Sequence, residues 1–430
     1  MEVRTILLIA AMCGQSHQIT GFGFLDKLTG AAQGIAGGIL PGSQDSYSCS
    51  RDVRKDFQTA AYDFTLRMYN SVGYYNKDHF VISPLSMWLS LAAVAEGADG
   101  LYQQQLLTAL NLPEERCLRE KYYQIALSRE QPGNDIKFMR KRLMVLDQGL
   151  RLNTTWSQYV ESMHLLDTSR APIRGNLQAV AMQLRDFLGT TSFPNLNGNS
   201  ALVDALDYEG LWTTAFPEAR IEREPFYNEE GQKIGMVDYM KINTHVKLAH
   251  LPVVDAKVLV LPVGHNGRYR IMIAVGMTKR GMRSMIEKLM SSVISEVLSV
   301  LQESLVPLEV AIPRFNFNFE YEASGMLDEI GVGSLFKNPE ATWLISYPPA
   351  QPSSYYQRVA VKFDTPGVNA LPSPRSALMA LNPISLASDV ATGLASAVGR
   401  DFIANRPFMY GLFDTDSNTC LFAGAYSHPD

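Results

Sequence analysis

Hydrophobic positions in the first part of the chain recur at helical spacing. Residues 51–69 and 84–110 place apolar side chains every three to four positions, which predicts amphipathic helices. Within the second segment, PLSMWLSLAAVAEGA is apolar on almost every side, so this helix is expected inside the protein. Gly97 and Gly100 end it, and a shorter helix is predicted over 102–110.

From residue 201 onward the apolar period falls to two. The stretches ALVDALDYEGLW, HVKLAHL, KVLVLPV, YRIMIAV and LEVAIPRFNF therefore predict strands. Residues 138–195 predict mainly helices after the strand-like RLMVLD, and further helices are predicted over 278–303 and 321–330. Helices first and strands later favour one α+β domain with pairing between distant segments.

The N-terminus predicts export. A basic residue at Arg4, an apolar run over 6–13 and small residues over 14–16 are typical of a signal peptide at 1–16, with an unprocessed hydrophobic start as the alternative. Residues 17–50 form a glycine-rich extension, interpreted as flexible or as an amphipathic segment that binds a membrane or partner. No later stretch has about 18 uninterrupted apolar residues, so stable membrane insertion is not expected. The expected location is extracellular.

Composition and motifs exclude several classes of function. A net charge of −5 without a Lys/Arg block offers no surface for nucleic acid. The chain has no HExxH, CxxC, GxSxG or phosphate-loop motif, and its seven histidines are scattered. We therefore expect neither an enzyme nor a metal or other cofactor.

Two further features fit a secreted protein. Removal of a signal peptide would leave Cys49, Cys117 and Cys420, an odd number that allows at most one internal disulfide. Cys49 with Cys117 is one candidate pair. Asn153 begins an Asn-Thr-Thr acceptor for N-glycosylation, which matters only if the chain enters the secretory route.

Several ordered stretches resemble the serpin family of serine protease inhibitors. They are FVISPLSMWLSLAAVAEGADGLYQQQLLTAL, LVDALDYEGLWTTAF, EPFYNEEGQKIGMVDYM, VLVLPV, VAIPRFNFNFEYEASGMLDEIGVGSLF and NRPFMYGLFDTDSNTCLFAGAYSHP. The match covers residues 51–430 as a single domain. The resemblance implies an α+β fold with helices packed around three β-sheets and an exposed reactive loop at about 367–401. It also implies that an inhibitory member offers this loop to a protease, which cuts it, and that the loop then inserts as a central strand.

The hinge of this loop departs from the family pattern. The resemblance places the hinge glycine at Gly367, where inhibitors continue with a small Thr or Ser and then alanine-like residues. Val368, Asn369 and Leu371 break that pattern, and only Ala370 fits it.

Two prolines oppose insertion. Pro372 and Pro374 have no N–H group, which a central strand needs on both sides, and their identical parity puts both rings on one face. Full insertion is therefore disfavoured, although the prolines could simply stiffen an exposed loop. Counting from the hinge by the family spacing puts the candidate scissile bond at Leu381–Asn382, whereas counting back from Pro407 reaches Ser396, so the loop is extended.

The resemblance also implies a polar cluster that gates the opening of the sheet. Ser83 and Ser86 match the family, whereas Asp204 replaces its asparagine and Gln357 its histidine. A buried carboxylate in this setting needs other hydrogen-bond donors. Trp212, at the top of the sheet, is retained, either as a marker of this site or as plain core packing.

Three functions remain open from the sequence. The first is a secreted serpin scaffold that does not inhibit and instead binds an extracellular partner. The second is a functional suicide-substrate inhibitor of an extracellular serine protease. The third is an extracellular structural or storage protein. For each we expect a monomer.

Overall fold

The computed structural model describes most of the region after residue 48. The described residues are 49–76, 78–128, 136–190, 196, 198–277, 281–290, 299–370, 401–417 and 419–429. The predicted signal peptide and almost all of the glycine-rich extension lie outside these residues. So does the loop segment 371–400, which includes Leu371, Pro372, Pro374 and the candidate bond Leu381–Asn382.

Nine helices are present in the described part of the chain. They are α1 (Arg54–Tyr75), α2 (Pro84–Ala95), α3 (Gly100–Ala109), α4 (Arg116–Ser128), α5 (Thr154–Ser162), α6 (Leu177–Leu188), α7 (Gly281–Met290), α8 (Ser324–Glu329) and α9 (Ser334–Lys337). Helix α2 is buried at every position, as its apolar sequence predicts. Short 3₁₀ helices occupy Glu218–Arg220, Pro252–Val254 and Pro339–Thr342.

The strands in the described residues form three large sheets and one small one. In chain order they are β1 (Phe80–Ile82), β2 (Ile136–Asp147), β3 (Arg151–Leu152), β4 (Asp167–Ala171), β5 (Ser200–Leu211), β6 (Ile221–Tyr227), β7 (Lys233–Thr244), β8 (Lys247–Leu251), β9 (Ala256–Val263), β10 (Tyr269–Gly276), β11 (Gln302–Glu303), β12 (Leu308–Pro313), β13 (Phe315–Glu322), β14 (Ser346–Tyr347), β15 (Pro352–Asp364), β16 (Gly367–Val368), β17 (Phe402–Ile403), β18 (Phe408–Asp414) and β19 (Thr419–Tyr426).

The order of hydrogen-bonded strands distinguishes the sheets. The seven-stranded sheet runs β1-β19-β18-β10-β9-β8-β11, and the four-stranded sheet runs β17-β12-β7-β6. The six-stranded sheet, called the central sheet below, runs β13-β15-β16-β5-β2-β4, with an additional direct pairing of β15 and β5. Strands β14 and β3 pair separately. The predicted α+β architecture with three β-sheets is confirmed.

The central sheet is covered on both faces near its middle. The main core joins it to α2 and the seven-stranded sheet; for example, the Phe315 ring lies 4.6 Å from Phe363 and 5.0 Å from Tyr426. A second cluster on the opposite face joins Leu184 of α6 to Val203 of β5. Because both faces are covered, the first seven residues of β5 are all buried and show no alternation.

Three predicted element boundaries are wrong. The helix predicted over 278–303 does not reach its end, because Gln302–Glu303 forms β11 against β8. The helix predicted over 321–330 begins only at Ser324, since the two preceding residues extend β13 in its pairing with β15. The mainly helical prediction for 138–195 misses β4, which pairs with β2 in parallel. In each case strand pairing with a distant segment overrides local helical preference.

The N-terminal end of the described chain is tied down covalently. Cys49 and Cys117 form a disulfide with a Cα–Cα distance of 5.7 Å, so the candidate pair is confirmed. Cys420 is a buried free cysteine, and burial raises the pKa of its thiol. No helix in the described part of the chain combines the length and apolar character needed to cross a bilayer.

Candidate functional site: the hinge and the polar cluster

The hinge enters the central sheet as a two-residue strand. After β15 the chain turns at Thr365 and Pro366, and β16 then lies antiparallel to both β15 and β5. Val368 lies opposite Phe363 on one side and Gly210 on the other. The loop is therefore already inserted by two residues.

Val368 fits this position despite its departure from the family pattern. Its side chain has no exposed surface and belongs to the main core. The residue opposite it on β5 is Gly210, and the place of a side chain there is filled by the Tyr208 hydroxyl and Val263. A bulky residue at 368 therefore does not keep the hinge out of the sheet.

Gly367 lies too close to β5 for any other residue. A Cβ atom added to it would overlap the carbonyl oxygen of Gly210 and come within 2.8 Å of the Leu211 Cα. Both contacts involve backbone, which cannot move aside as a flexible side chain could. The hinge glycine is thus required by close packing of two strands.

Trp212 is hydrogen-bonded to the turn that precedes the hinge. Its indole Nε1 donates to the Asp364 carbonyl at 2.8 Å, and its backbone N–H donates to the Pro366 carbonyl at 3.1 Å. The ring is buried and packs edge-on against Phe216 and Phe363. Trp212 is therefore both a core residue and a direct contact of the turn.

Asp364 carries the charge next to this turn. One carboxylate oxygen lies 2.8 Å from the Arg314 guanidinium, and the other lies 2.6 Å from the Lys362 ammonium. Burial alone would raise the pKa of this carboxyl, but the hydrogen bonds from Lys362 and the Thr365 N–H, together with the positive charges of Arg314 and Lys362, outweigh burial, so the pKa is lowered. Asp364 is therefore ionised at neutral pH.

Asn369 is the residue that follows the inserted strand. This residue has φ +53°, in the left-handed region that asparagine tolerates better than most residues. Its backbone N–H donates to the Lys362 carbonyl at 2.7 Å, and its side-chain amide donates to the carbonyls of Tyr208 and Ala360. Ala370 follows and is buried.

Four of the five residues predicted for the cluster come together at β5 and β15, whereas the fifth, Trp212, contacts the turn before the hinge. Asp204 accepts hydrogen bonds from the Ser86 hydroxyl at 2.7 Å and from the Gln357 amide at 2.6 Å. Gln357 also donates to the Ser83 carbonyl at 3.1 Å and accepts from the Ser83 N–H at 2.9 Å. All four side chains are buried, so the cluster ties α2 to both central strands.

Two tyrosines that sequence reasoning missed complete the cluster. The Tyr355 hydroxyl donates to Asp204 at 3.2 Å, and the Tyr321 hydroxyl donates to the Gln357 side-chain oxygen at 2.8 Å. Burial first, and the Asp204 charge second, raise the pKa of each hydroxyl well above its usual value. The carboxylate without a histidine partner is thus held by neutral donors from α2 and β15, and Tyr321 of β13 supports one of those donors, Gln357.

Asn153 immediately precedes α5. Its side-chain oxygen accepts from the N–H groups of Thr155 and Trp156 and caps α5, while its Nδ2 donates to the Leu344 carbonyl at 2.9 Å. The structure gives this residue a capping role, and glycosylation remains a prediction. Within the described residues, no group of three His, Cys, Asp or Glu side chains could hold a metal ion.

The fold and the hinge define a class of protein in which a long loop is connected to a central sheet. In this chain the connection is β16, which lies between β15 and β5. The family model for serpins (serine protease inhibitors) matches residues 59–429, and the chain belongs to this family. The resemblance seen in the sequence is confirmed.

Similar proteins have differing descriptions. Wheat (Triticum aestivum) Serpin-Z1C is 23% identical over 393 residues, covering 85% of this chain and 94% of that protein. Rice (Oryza sativa subsp. japonica) serpin-10, whose name marks it provisionally as non-inhibitory, is 23% identical, covering 82% and 94%. The solved structure of Serpin48 from the insect Tenebrio molitor, described as a highly specific serpin, superposes with a TM-score of 0.73 at 17% identity, covering 87% and 99%. That last likeness concerns the fold alone.

Proposed function

We propose that the protein is a secreted serpin that displays its loop to an extracellular partner and does not complete the inhibition of a serine protease. The observation that carries this proposal is the register of β16. It determines where each proline would lie if the loop continued into the central sheet.

Continued in register, the loop would bring its prolines to the middle of the sheet. Pro372 would lie opposite Leu206 of β5, two residues before Pro374. Because the Asn369 N–H points to β15, the even-numbered positions of an extended strand would direct their N–H groups to β5. Each proline would therefore leave one β5 carbonyl without a donor, at a cost of roughly 1–3 kcal/mol.

Pro374 would also reach the polar cluster. The same register places it between Gln357 and Asp204, whose side chains are joined by a 2.6 Å hydrogen bond. Strands β5 and β15 pair directly at this level, so insertion must separate them and break that bond. An apolar ring beside a buried carboxylate offers no replacement donor.

Secretion is supported by the chemistry of the cysteines and the N-terminus. The signal-like segment at 1–16 precedes the Cys49–Cys117 disulfide, and disulfides persist mainly in oxidising compartments. The Asn153 acceptor is compatible with that route. The partner is then an extracellular protein, whether a serine protease that cuts the loop or another secreted protein.

One observation favours the second candidate, an active inhibitor. The hinge already occupies the top of the central sheet, with Val368 fully buried, so the first step of insertion has no barrier from that side chain. Family membership favours this candidate as well. It requires the sheet to accept both prolines.

Reaction with proteases distinguishes these two candidates. The secreted protein is incubated with trypsin-, chymotrypsin- and elastase-like enzymes, and the products are separated by SDS electrophoresis. We expect cleavage of the loop without an SDS-stable complex, and such a complex would overturn the proposal. The double variant Pro372→Ala/Pro374→Ala is the matched control, because it restores both N–H groups and should increase complex formation if the prolines are the obstacle. Recovery of a specific extracellular ligand by pull-down would argue against a storage role.

A further inference from the structure

Asn369 lies where the central sheet divides. Strands β5 and β15 pair directly as far as Ala360 and Asp207, and beyond that point they separate to admit β16. Asn369 is the first residue after β16, and its left-handed backbone turns the chain away from the extended path. Its side chain therefore faces the point at which the two strands part.

The Asn369 carboxamide bridges the two strands. Its Nδ2 donates to the Tyr208 carbonyl on β5 and, at 3.1 Å, to the Ala360 carbonyl on β15. One NH₂ group carries two hydrogens, so both bonds can form together. With the backbone bond to Lys362, this residue makes three hydrogen bonds to the central sheet.

These two acceptors are the ones that a continuing strand would need. In the register of β16, the N–H of the next residue, Ala370, would face the Tyr208 carbonyl. The N–H after that would face the Ala360 carbonyl. The carboxamide thus supplies from one side chain the donors that the next two backbone positions would supply.

We propose that Asn369 is a latch that holds the hinge at two inserted residues. Further insertion must release both carbonyls from the carboxamide and convert a left-handed residue to extended geometry, while withdrawal of the hinge must also break both bonds. The latch deepens the proposed function, since it accounts for a loop that stays displayed. It concerns the uncleaved protein, so an inhibitory result in the protease assay would leave it standing.

Two substitutions separate the latch from a simple turn. Asn369→Asp keeps the shape of the side chain but removes both donors. Asn369→Gly also removes them, yet it suits the left-handed backbone better than asparagine does. If the turn alone matters, the glycine variant should hold the hinge at least as well as the wild type.

Hydrogen exchange of the full secreted chain measures the latch. In peptides covering 361–370, we expect both variants to exchange roughly tenfold to a hundredfold faster than the wild type, because two hydrogen bonds are lost. Asn266→Gly, in the exposed turn between β9 and β10, is the matched control and should leave hinge exchange unchanged. Peptides from the seven-stranded sheet report whether each variant is folded.

Two results would overturn the proposal. One is wild-type protection of the hinge in Asn369→Gly, which would assign the effect to the turn. The other is unchanged exchange in both folded variants, which would show that the carboxamide does not hold the hinge.

Discussion

Replacing Gly367 by alanine tests whether close packing of two backbones holds the hinge in the central sheet. The added methyl group would overlap the Gly210 carbonyl and crowd the Leu211 Cα. Neither contact can be relieved by rotating a side chain. We therefore expect β16 to leave the sheet in Gly367→Ala.

The size of the effect follows from what β16 contributes. Withdrawal exposes Val368, which is fully buried, and burial of a valine side chain contributes about 1.5–3 kcal/mol. The hydrogen bonds that the hinge makes to its neighbours contribute about 1 kcal/mol each. Together these changes predict a loss of roughly 3–5 kcal/mol in the free energy of unfolding.

Urea unfolding and hydrogen exchange together measure this change. The matched control is Gly325→Ala in α8, where an added Cβ has no atom within 4 Å and alanine favours the helix by up to about 1 kcal/mol. We expect the control to unfold at the same or a higher urea concentration and Gly367→Ala at a lower one, with faster exchange over 361–370. Equal stability and equal hinge protection in Gly367→Ala would refute the claim that close packing requires glycine there.

Three further predictions concern the surroundings of the hinge. Tyr355→Phe removes one donor from the buried carboxylate of the polar cluster and should lower the free energy of unfolding by about 1–3 kcal/mol in urea titrations, whereas Tyr347→Phe, at an exposed ring, should have no effect. Replacing Cys49 and Cys117 by serine removes a disulfide of sequence separation 68 and should lower the free energy of unfolding by roughly 2–4 kcal/mol. Reduction of the wild type should likewise lower its melting temperature, and an unchanged melting temperature would contradict this prediction. The pKa of Asp364 in the folded protein is lowered from its ordinary value of 3.8, so the ionised carboxylate stabilises the fold above that pH, and this stabilisation is lost as the pH falls through the lower folded pKa. Asp364→Asn should flatten this part of the curve of stability against pH. Parallel curves for the variant and the wild type would contradict the assignment.

The burial of α2 was predictable because its sequence determines it locally. A helix that is apolar on every side must lie inside the protein, and every residue of Pro84–Ala95 is buried. The strand RLMVLD was likewise predictable, but β2 extends back to Ile136. Its extra residues are less buried, and pairing with β5 rather than their own pattern makes them a strand.

The polar cluster was predictable only in part. Ser83, Ser86, Asp204 and Gln357 could be named from the family resemblance, and the structure brings them together. The two tyrosine donors lie far along the chain from the carboxylate, so no local pattern reveals them. A signal did exist for Tyr355, which is two residues before Gln357 and therefore on the same face of its strand.

The hinge shows why a residue-by-residue comparison falls short. Val368 departs from the family pattern, but it is fully buried in the main core opposite Gly210, and sequence alone does not reveal that pairing. The left-handed conformation of Asn369 depends in the same way on acceptors from two distant strands. Register between distant segments, rather than residue type, decides both outcomes.

The melting temperature before and after cleavage tests most directly whether the loop can complete its insertion. The protein is cut once within 371–400 by a protease that is then inactivated, and unfolding of intact and cut protein is followed by circular dichroism. Since an inserted strand would add hydrogen bonds and buried surface to the central sheet, a blocked loop predicts no increase in melting temperature on cleavage. A marked increase in the cut wild-type protein, equal to that of the cut Pro372→Ala/Pro374→Ala variant, would contradict the account.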